Sequence, residues 1–283
     1  LSEQPVGVDA AKRVVAALDF DRLTADVIEL VKIPSVSGTP GEVRVQEWYS
    51  KALAEAGLTV DQWDLDLAGL AAHPDFPGVE VHRERAIGCV GTTGEGPAGL
   101  ILQGHTDVVP VGNPADWSDD PFGAGESRGY IWGRGSTDMK AGVAVNLAVA
   151  RAVMASGIEL AKPLAVHAVV GEEDGGLGAF GTLMRGHLGE ACVITEPTGG
   201  GVVIANAGAL TFRIEVSGRP AHGALRKSGQ SSVESFWVIH QALLEFEALR
   251  NLEREPLFAH NPLPYALSIG TVNAGEWSST VPE

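Results

Sequence analysis

The sequence predicts an α/β fold: a mixed or mostly parallel sheet covered by helices, followed by a smaller α+β unit. Three observations lead there. From Thr59 onward, β-rich runs alternate with helical runs. Those β-rich runs are almost continuously apolar, as in strands buried on both faces. After residue 205 the pattern changes to a strand, a long helix and another strand.

The opening stretch, up to about Leu58, reads as helical. Asp21 to Lys32 carries Leu23, Val27, Leu30 and Val31 at helical spacing, and Pro34 stops it. Glu42 to Ala56 repeats the pattern and ends at Gly57. Strands are expected at 59–65, 86–91, 99–103, 164–170 and 191–195, with helices at 139–155 and 177–187. The helix after Asp138 is apolar or small nearly all round (Ala141, Val143, Ala144, Val145, Leu147, Ala148), which marks a buried helix. Farther on, 209–217 alternates like a strand, 230–249 reads as an amphipathic helix, and 266–272 as another strand. Residues 1–205 hold 14 basic and 28 acidic side chains, whereas 206–283 hold 6 and 8. Pattern and charge together place a domain boundary there, giving 1–205 and 206–283.

The net charge of −16 argues against nucleic acid as a partner, because neutralising phosphates needs a basic surface. Cys89 and Cys192, the only cysteines, sit in apolar runs and read as buried small hydrophobes. Such usage fits a reducing compartment. No apolar run approaches a membrane span, and the first residues do not form a signal peptide. Leu rather than Met stands first, which leaves room for an earlier start.

Chemistry gathers at the expected C-terminal strand ends, where open α/β sheets place their sites. The strand at 99–103 runs into His105-Thr106-Asp107, and a short strand leads into Gly133-Arg134-Gly135-Ser136-Thr137-Asp138. The strand at 164–170 ends in Gly171-Glu172-Glu173-Asp174, and 191–195 ends in Glu196-Pro197. Singly, each has a plainer reading: Asp107 as a turn residue, Asp138 as a helix N-cap, Glu172-Glu173 as a solvated loop. Jointly, four unrelated loops would have to carry matching chemistry by accident. Carboxylates collected in one cleft repel one another unless cations neutralise them. One imidazole with several carboxylates and no thiolate suits zinc, cobalt or manganese. The donors are too many for one tetrahedral ion and suit two ions sharing a carboxylate.

Gly104-His105-Thr106-Asp107-Val108-Val109-Pro110, Trp117 through Phe122 and Tyr130 through Lys140 resemble a metallopeptidase family, as do Glu172 through Gly176, Glu196-Pro197 and Gly218 through His222. That family includes aminoacylase, acetylornithine deacetylase, succinyl-diaminopimelate desuccinylase and carboxypeptidase G. The resemblance implies that His105 and Glu196 hold one metal, Glu173 the other, and that Asp138 bridges both. It implies that Asp107 orients His105, and that Glu172 is the general base, moving a proton from the attacking water to the leaving amine. His222 would serve from a ferredoxin-like lid domain, stabilising an oxyanion in the active site of a partner subunit. Arg226 and Lys227 beside it read as solvated surface. Two divalent ions, zinc first, and a homodimer through the lid in the cytoplasm complete the expectation.

Two departures stand out. The family draws another His ligand from a segment beyond Glu283, and His240 and His260 are poor replacements. The chain therefore reads as truncated in mid-lid, with weak metal binding and little activity expected. Gly171 stands where many relatives carry a polar residue. The implied reaction is removal of an acyl group from a small N-acyl amino acid or related amine, since 261–277 most resembles the deacetylase and desuccinylase branch. A dipeptidase or carboxypeptidase is the nearest rival. A non-catalytic binding protein would be expected to have lost Glu172 or Asp138, and both are present. Nucleotide binding at Gly133-Arg134-Gly135 is disfavoured because an acidic residue opens the following helix.

Overall fold

The computed structural model describes residues 8–206 and 208–283. Residues 1–7, on which the signal-peptide expectation falls, and Ala207 lie outside them. The chain divides into two compact units, Leu1–Gly201 and Val202–Glu283.

The first unit opens with helices α1 (Val8–Ala16), α2 (Phe20–Val31) and α3 (Pro40–Glu55). Asp19 caps α2 by accepting the N–H of Arg22, and Thr39 caps α3, whose first turn begins at Pro40. Strand β1 (Thr59–Asp64), the short helix α4 (Leu67–Ala71), β2 (Ile87–Thr92) and β3 (Leu100–His105) follow. A hairpin of β4 (Gly125–Ser127) and β5 (Tyr130–Trp132) leads to α5 (Ala141–Ser156), then β6 (Leu164–Val169), α6 (Leu177–Arg185) and β7 (Cys192–Ile194).

The sheet order is β1-β2-β6-β3-β7. Pairing is antiparallel for β1–β2 and β2–β6 and parallel for β6–β3 and β3–β7, so only β2 runs against the rest. The sheet is thus mixed and mostly parallel. On one face α2, α3 and α5 pack Leu30, Val31, Tyr49, Leu53, Val143 and Leu147 against Cys89, Leu102 and Val166. The Tyr49 hydroxyl donates to the Val143 carbonyl at 2.8 Å, tying α3 to α5. On the other face Leu177 and Phe180 of α6 meet Leu65, Leu70 and Val170. Burying such apolar area is the main stabilising term of a sheet with helices on both faces.

Ser136–Ser156 is long and apolar enough to cross a membrane by length and composition alone, but 56% of its most apolar 18-residue window is buried, as in a core helix. Its apolar surface is taken up by the sheet and α2, with Val145 and Met154 left exposed. Cys192 departs from expectation. It is exposed, because β7 has β3 as its only ladder partner among the described residues and so forms an edge.

In the second unit, β8 (Ala221–His222) pairs with β9 (Thr280–Val281), and α7 spans Ser232–Arg250. Ser231 caps α7 through the N–H of Glu234. The strands expected at 209–217 and 266–272 are absent. A strand needs a neighbour to take its backbone hydrogen bonds, and no ladder forms along either stretch among the described residues. Instead, buried Asn251 exchanges two hydrogen bonds with the backbone of Tyr265. The apolar residues of α7 are not gathered on one face either: Val233, Trp237, Val238, Phe246 and Leu249 are all exposed.

Candidate metal centre

The parallel register sets the ends of three strands side by side. His105 pairs with Val169, and Gln103 with Ile194. The residues that follow β6 and β7 therefore emerge beside His105, and Glu172, Glu173 and Glu196 arrive with them.

Buried polar groups lock His105-Thr106-Asp107 in place. Ser35 donates its hydroxyl to the Thr106 carbonyl at 2.6 Å. Gln46, on α3, donates to Thr106 Oγ1 and to the Ala168 carbonyl, both at 3.1 Å. Thr106 in turn donates its N–H to Val169. The sequence reading missed Ser35 and Gln46, whose partners are distant in the chain. The remaining candidate donor, Asp138, leaves helical geometry (φ −115°, ψ 103°) just before α5 begins. Lys140 anchors that turn by donating to the carbonyls of Leu30 and Ile33 at the end of α2. Burial pushes its ammonium pKa down to about 7.

His105 is 2% exposed. Its Nδ1 lies 2.9 Å from the carbonyl oxygen of Asp107, while the Asp107 carboxylate is farther, at 3.7 Å. The orienting bond runs to the backbone of Asp107. A carbonyl only accepts, so Nδ1 carries the proton and Nε2 keeps a free lone pair. That Nε2 faces Asp138 Oδ1 at 3.1 Å, Glu196 Oε1 at 3.8 Å and Glu172 Oε2 at 3.9 Å. One ligand atom each from His105, Asp138 and Glu173 lies within 4.8 Å of the others. Donors on one zinc ion sit roughly 3–3.5 Å apart, so the spacing suits a cation.

The carboxylate of Asp107, fully buried, has another task. It accepts the N–H of Glu172 and of Glu173, both at 3.3 Å, and the hydroxyl of Ser37 at 3.1 Å. The two glutamates then diverge: the Glu172 side chain is about half exposed, whereas Glu173 is partly buried. A cleft of about 400 Å³ lies beside them, lined by Val109, Gly133 to Asp138 and Glu173. Another cavity, about 450 Å³, is lined by Asp64, Asp66, Glu84 and Arg85 and contains none of these donors.

The electrostatics of these groups suit a cation. Glu173 is held above the usual carboxylate range by burial, then by Asp138, Asp107 and Glu172, with His105 opposing. Glu196 is raised in the same way by burial, Asp138 and Glu172. Burial lowers the pKa of His105, but Asp107, Glu172 and Glu196 outweigh it and raise the imidazole overall. A divalent ion among these groups would relieve the repulsion.

His222 belongs to the second unit, where its Nδ1 accepts the N–H of Ala224 at 3.2 Å. Nearby Arg226 is paired with Glu234. His240 lies among the rings of Phe236 and Trp237.

Residues 101–264 match peptidase family M20/M25/M40. The chain is 29% identical over 225 residues to the N-formyl-4-amino-5-aminomethyl-2-methylpyrimidine deformylase of Bacillus subtilis, covering 76% of this chain and 49% of that protein. It is 33% identical over 194 residues to the succinyl-diaminopimelate desuccinylase of Paracoccus denitrificans, covering 64% and 48%. The solved tripeptidase of Staphylococcus aureus shares the fold, with a TM-score of 0.52 and 21% identity over 94% of this chain and 64% of that one. The chain spans about half the length of the curated relatives it matches. The match over 101–264 takes in His105, Asp138, Glu172, Glu173 and Glu196 together, and by it this chain belongs to peptidase family M20/M25/M40.

Proposed function

We propose that this chain carries the catalytic core of a metal-dependent amide hydrolase, a deacylase acting on a small N-acyl amino acid or related N-acyl amine. The observation that carries the reading is the convergence of His105, Asp138 and Glu173 within 4.8 Å, with Glu172 beside them. Deformylase and desuccinylase relatives support acyl-group removal.

In this reading His105 and Glu196 would hold one divalent ion and Glu173 a second, and Asp138, whose Oδ1 is 3.1 Å from His105 Nε2, would be shared. Zinc fits the donors best, with cobalt and manganese compatible. Such a pair, when bound, polarises an amide carbonyl and makes water a better nucleophile. Nδ1 of His105, engaged by the Asp107 carbonyl, keeps Nε2 available as a donor atom. Glu172 takes a proton from the attacking water as the C–O bond forms, and delivers it to the nitrogen as the C–N bond breaks. The Asp107 carboxylate holds the backbone of both glutamates while that proton moves.

The unit 1–205 is the catalytic domain in this reading, and 206–283 belongs to a lid and dimerisation domain that supplies His222. In this reading the second unit also joins two copies of the chain. The unpaired Cys89 and Cys192 support a cytoplasmic setting.

The test is metal content together with hydrolysis of N-formyl, N-acetyl and N-succinyl amines. Bound metal with turnover abolished in Glu172→Gln is the expected result. Absence of metal, or turnover indifferent to that substitution, overturns the reading.

A further inference from the structure

A buried ion cluster lies directly behind the turn that carries Glu172 and Glu173. Arg83 is 6% exposed and sits between Glu42, 1% exposed, and Asp174, 7% exposed. Its guanidinium donates to Glu42 through Nε and Nη2, both at 2.9 Å, and to Asp174 through Nη1 at 2.8 Å and Nη2 at 2.6 Å. Planar, two-pronged pairing of this kind is available to arginine and not to lysine.

The cluster is joined to the site at both ends. Asp174 follows Glu173 in the chain, and its carboxylate also accepts the N–H of Glu80 and of Val81. Glu42, in the first turn of α3, accepts the N–H of Gly38 at 3.0 Å. Next to Gly38, Ser37 donates its hydroxyl to Asp107, which holds the N–H groups of Glu172 and Glu173. Within the turn between these anchors, Gly175 donates its N–H to the Glu172 carbonyl and Gly176 to that of Gly171. Gly171, Gly175 and Gly176 have φ of 66°, 143° and 98°, values that glycine adopts freely. A side chain at Gly171 would also crowd the guanidinium, because a Cβ would stand 3.1 Å from Arg83 Nη2. The glycine that departs from the family pattern is thus matched to the arginine behind it.

We propose that Arg83 is a positioning residue for the metal-binding turn: by clamping Asp174 to Glu42 it fixes the direction in which Glu173 points. Asp107 holds the turn by two backbone N–H groups, and Arg83 holds it by the side chain one residue farther on. Removing the guanidinium leaves two carboxylates buried without a countercharge. Asp174 then moves toward water and carries Glu173 with it. The proposal rests on Glu173 being a metal ligand.

The experiment titrates cobalt(II) into the 283-residue chain, following heat and the visible absorption of the bound ion. Arg83→Lys keeps the charge and loses the fork. Asp174→Asn keeps the shape and loses the charge. Each is expected to weaken cobalt binding by about tenfold or more, the usual range for outer-shell partners, and to change the absorption band. Leu53→Ala, in the core of α3, lowers the melting temperature without touching the turn, and is expected to bind cobalt like the parent. Parental affinity and spectrum in Arg83→Lys, or a loss no greater than that of Leu53→Ala, overturns the proposal. If Arg83→Lys does not fold, Asp174→Asn decides in the same terms. Glu173→Gln separates the two levels of inference. If it binds cobalt as the parent does, the ligand reading fails and the clamp with it. If it loses cobalt while Arg83→Lys and Asp174→Asn do not, only the clamp fails.

Discussion

The carboxylate of Asp107 accepts the backbone N–H of Glu172 through one oxygen and that of Glu173 through the other, each at 3.3 Å. Asparagine keeps one acceptor and replaces the other with a donor, so Asp107→Asn sets an amide against an N–H in a fully buried site. A loss of about 1–3 kcal/mol is expected from the unsatisfied pair. Metal affinity is expected to fall roughly ten- to a hundredfold as the turn loosens. Urea denaturation and metal titration measure the two effects. An Asp107→Asn chain that binds metal normally would show that the carboxylate does not hold the turn.

Glu172 and Glu173 are neighbours with separable roles on the hydrolase reading. Glu172→Gln removes the proton carrier, and turnover is expected to drop about 10²–10⁴-fold with metal affinity kept. Glu173→Gln removes a donor, and metal affinity is expected to drop first. Calorimetric titration beside a turnover assay distinguishes them. If both variants lose metal equally, the assignment of Glu172 as the base is wrong.

His105, Glu172, Glu173 and Glu196 could be placed near one another from the sequence because each follows a strand of the main sheet, and a parallel sheet brings such ends to one edge. Asp138 instead follows a separate hairpin and sits just before α5. Arg83 was not legible. It lies in the charged stretch His82-Arg83-Glu84-Arg85, which reads as solvated surface, and its partners Glu42 and Asp174 are 41 and 91 residues away. Cys192 was misread for a related reason. Apolar content tells a strand from a loop, but edge or centre is decided by the order of strands. The stretches 209–217 and 266–272 alternate as strands do, and alternation marks a face without supplying a partner.

His167, on β6, is 4% exposed, and burial followed by the neighbouring His187 pushes its pKa from 6.5 down to about 4. The fold therefore holds it neutral where the unfolded chain binds a proton. Above pH 6.5 it adds no pH dependence. As pH falls from 6.5 to about 4 stability is lost, and below about 4 the loss is complete. The limit is about 3.5 kcal/mol, from the fall from 6.5 to about 4 at about 1.4 kcal/mol per pH unit. His167→Gln is expected to flatten this part of the stability profile, measured as urea midpoints at pH 7.5 and 5. Equal slopes for parent and variant would place the acid sensitivity elsewhere.

Gly142, in the first turn of α5, tests how closely the helix must approach the end of β7. In an open helix alanine is favoured over glycine by about 1 kcal/mol. Here a Cβ would overlap the carbonyl oxygen of Thr195 and lie 2.9 Å from its Oγ1 and 3.1 Å from Met139. Thr195 precedes Glu196, so relief of that overlap moves the carboxylate away from His105. Gly142→Ala is therefore expected to destabilise by about 1–3 kcal/mol despite its helix propensity. It is also expected to weaken metal binding. Gly125→Ala is the contrast, since a Cβ there meets nothing within 4 Å. Its metal affinity should match the parent. A Gly142→Ala chain that is more stable than the parent and binds metal equally would mean that β7 can retreat without moving Glu196.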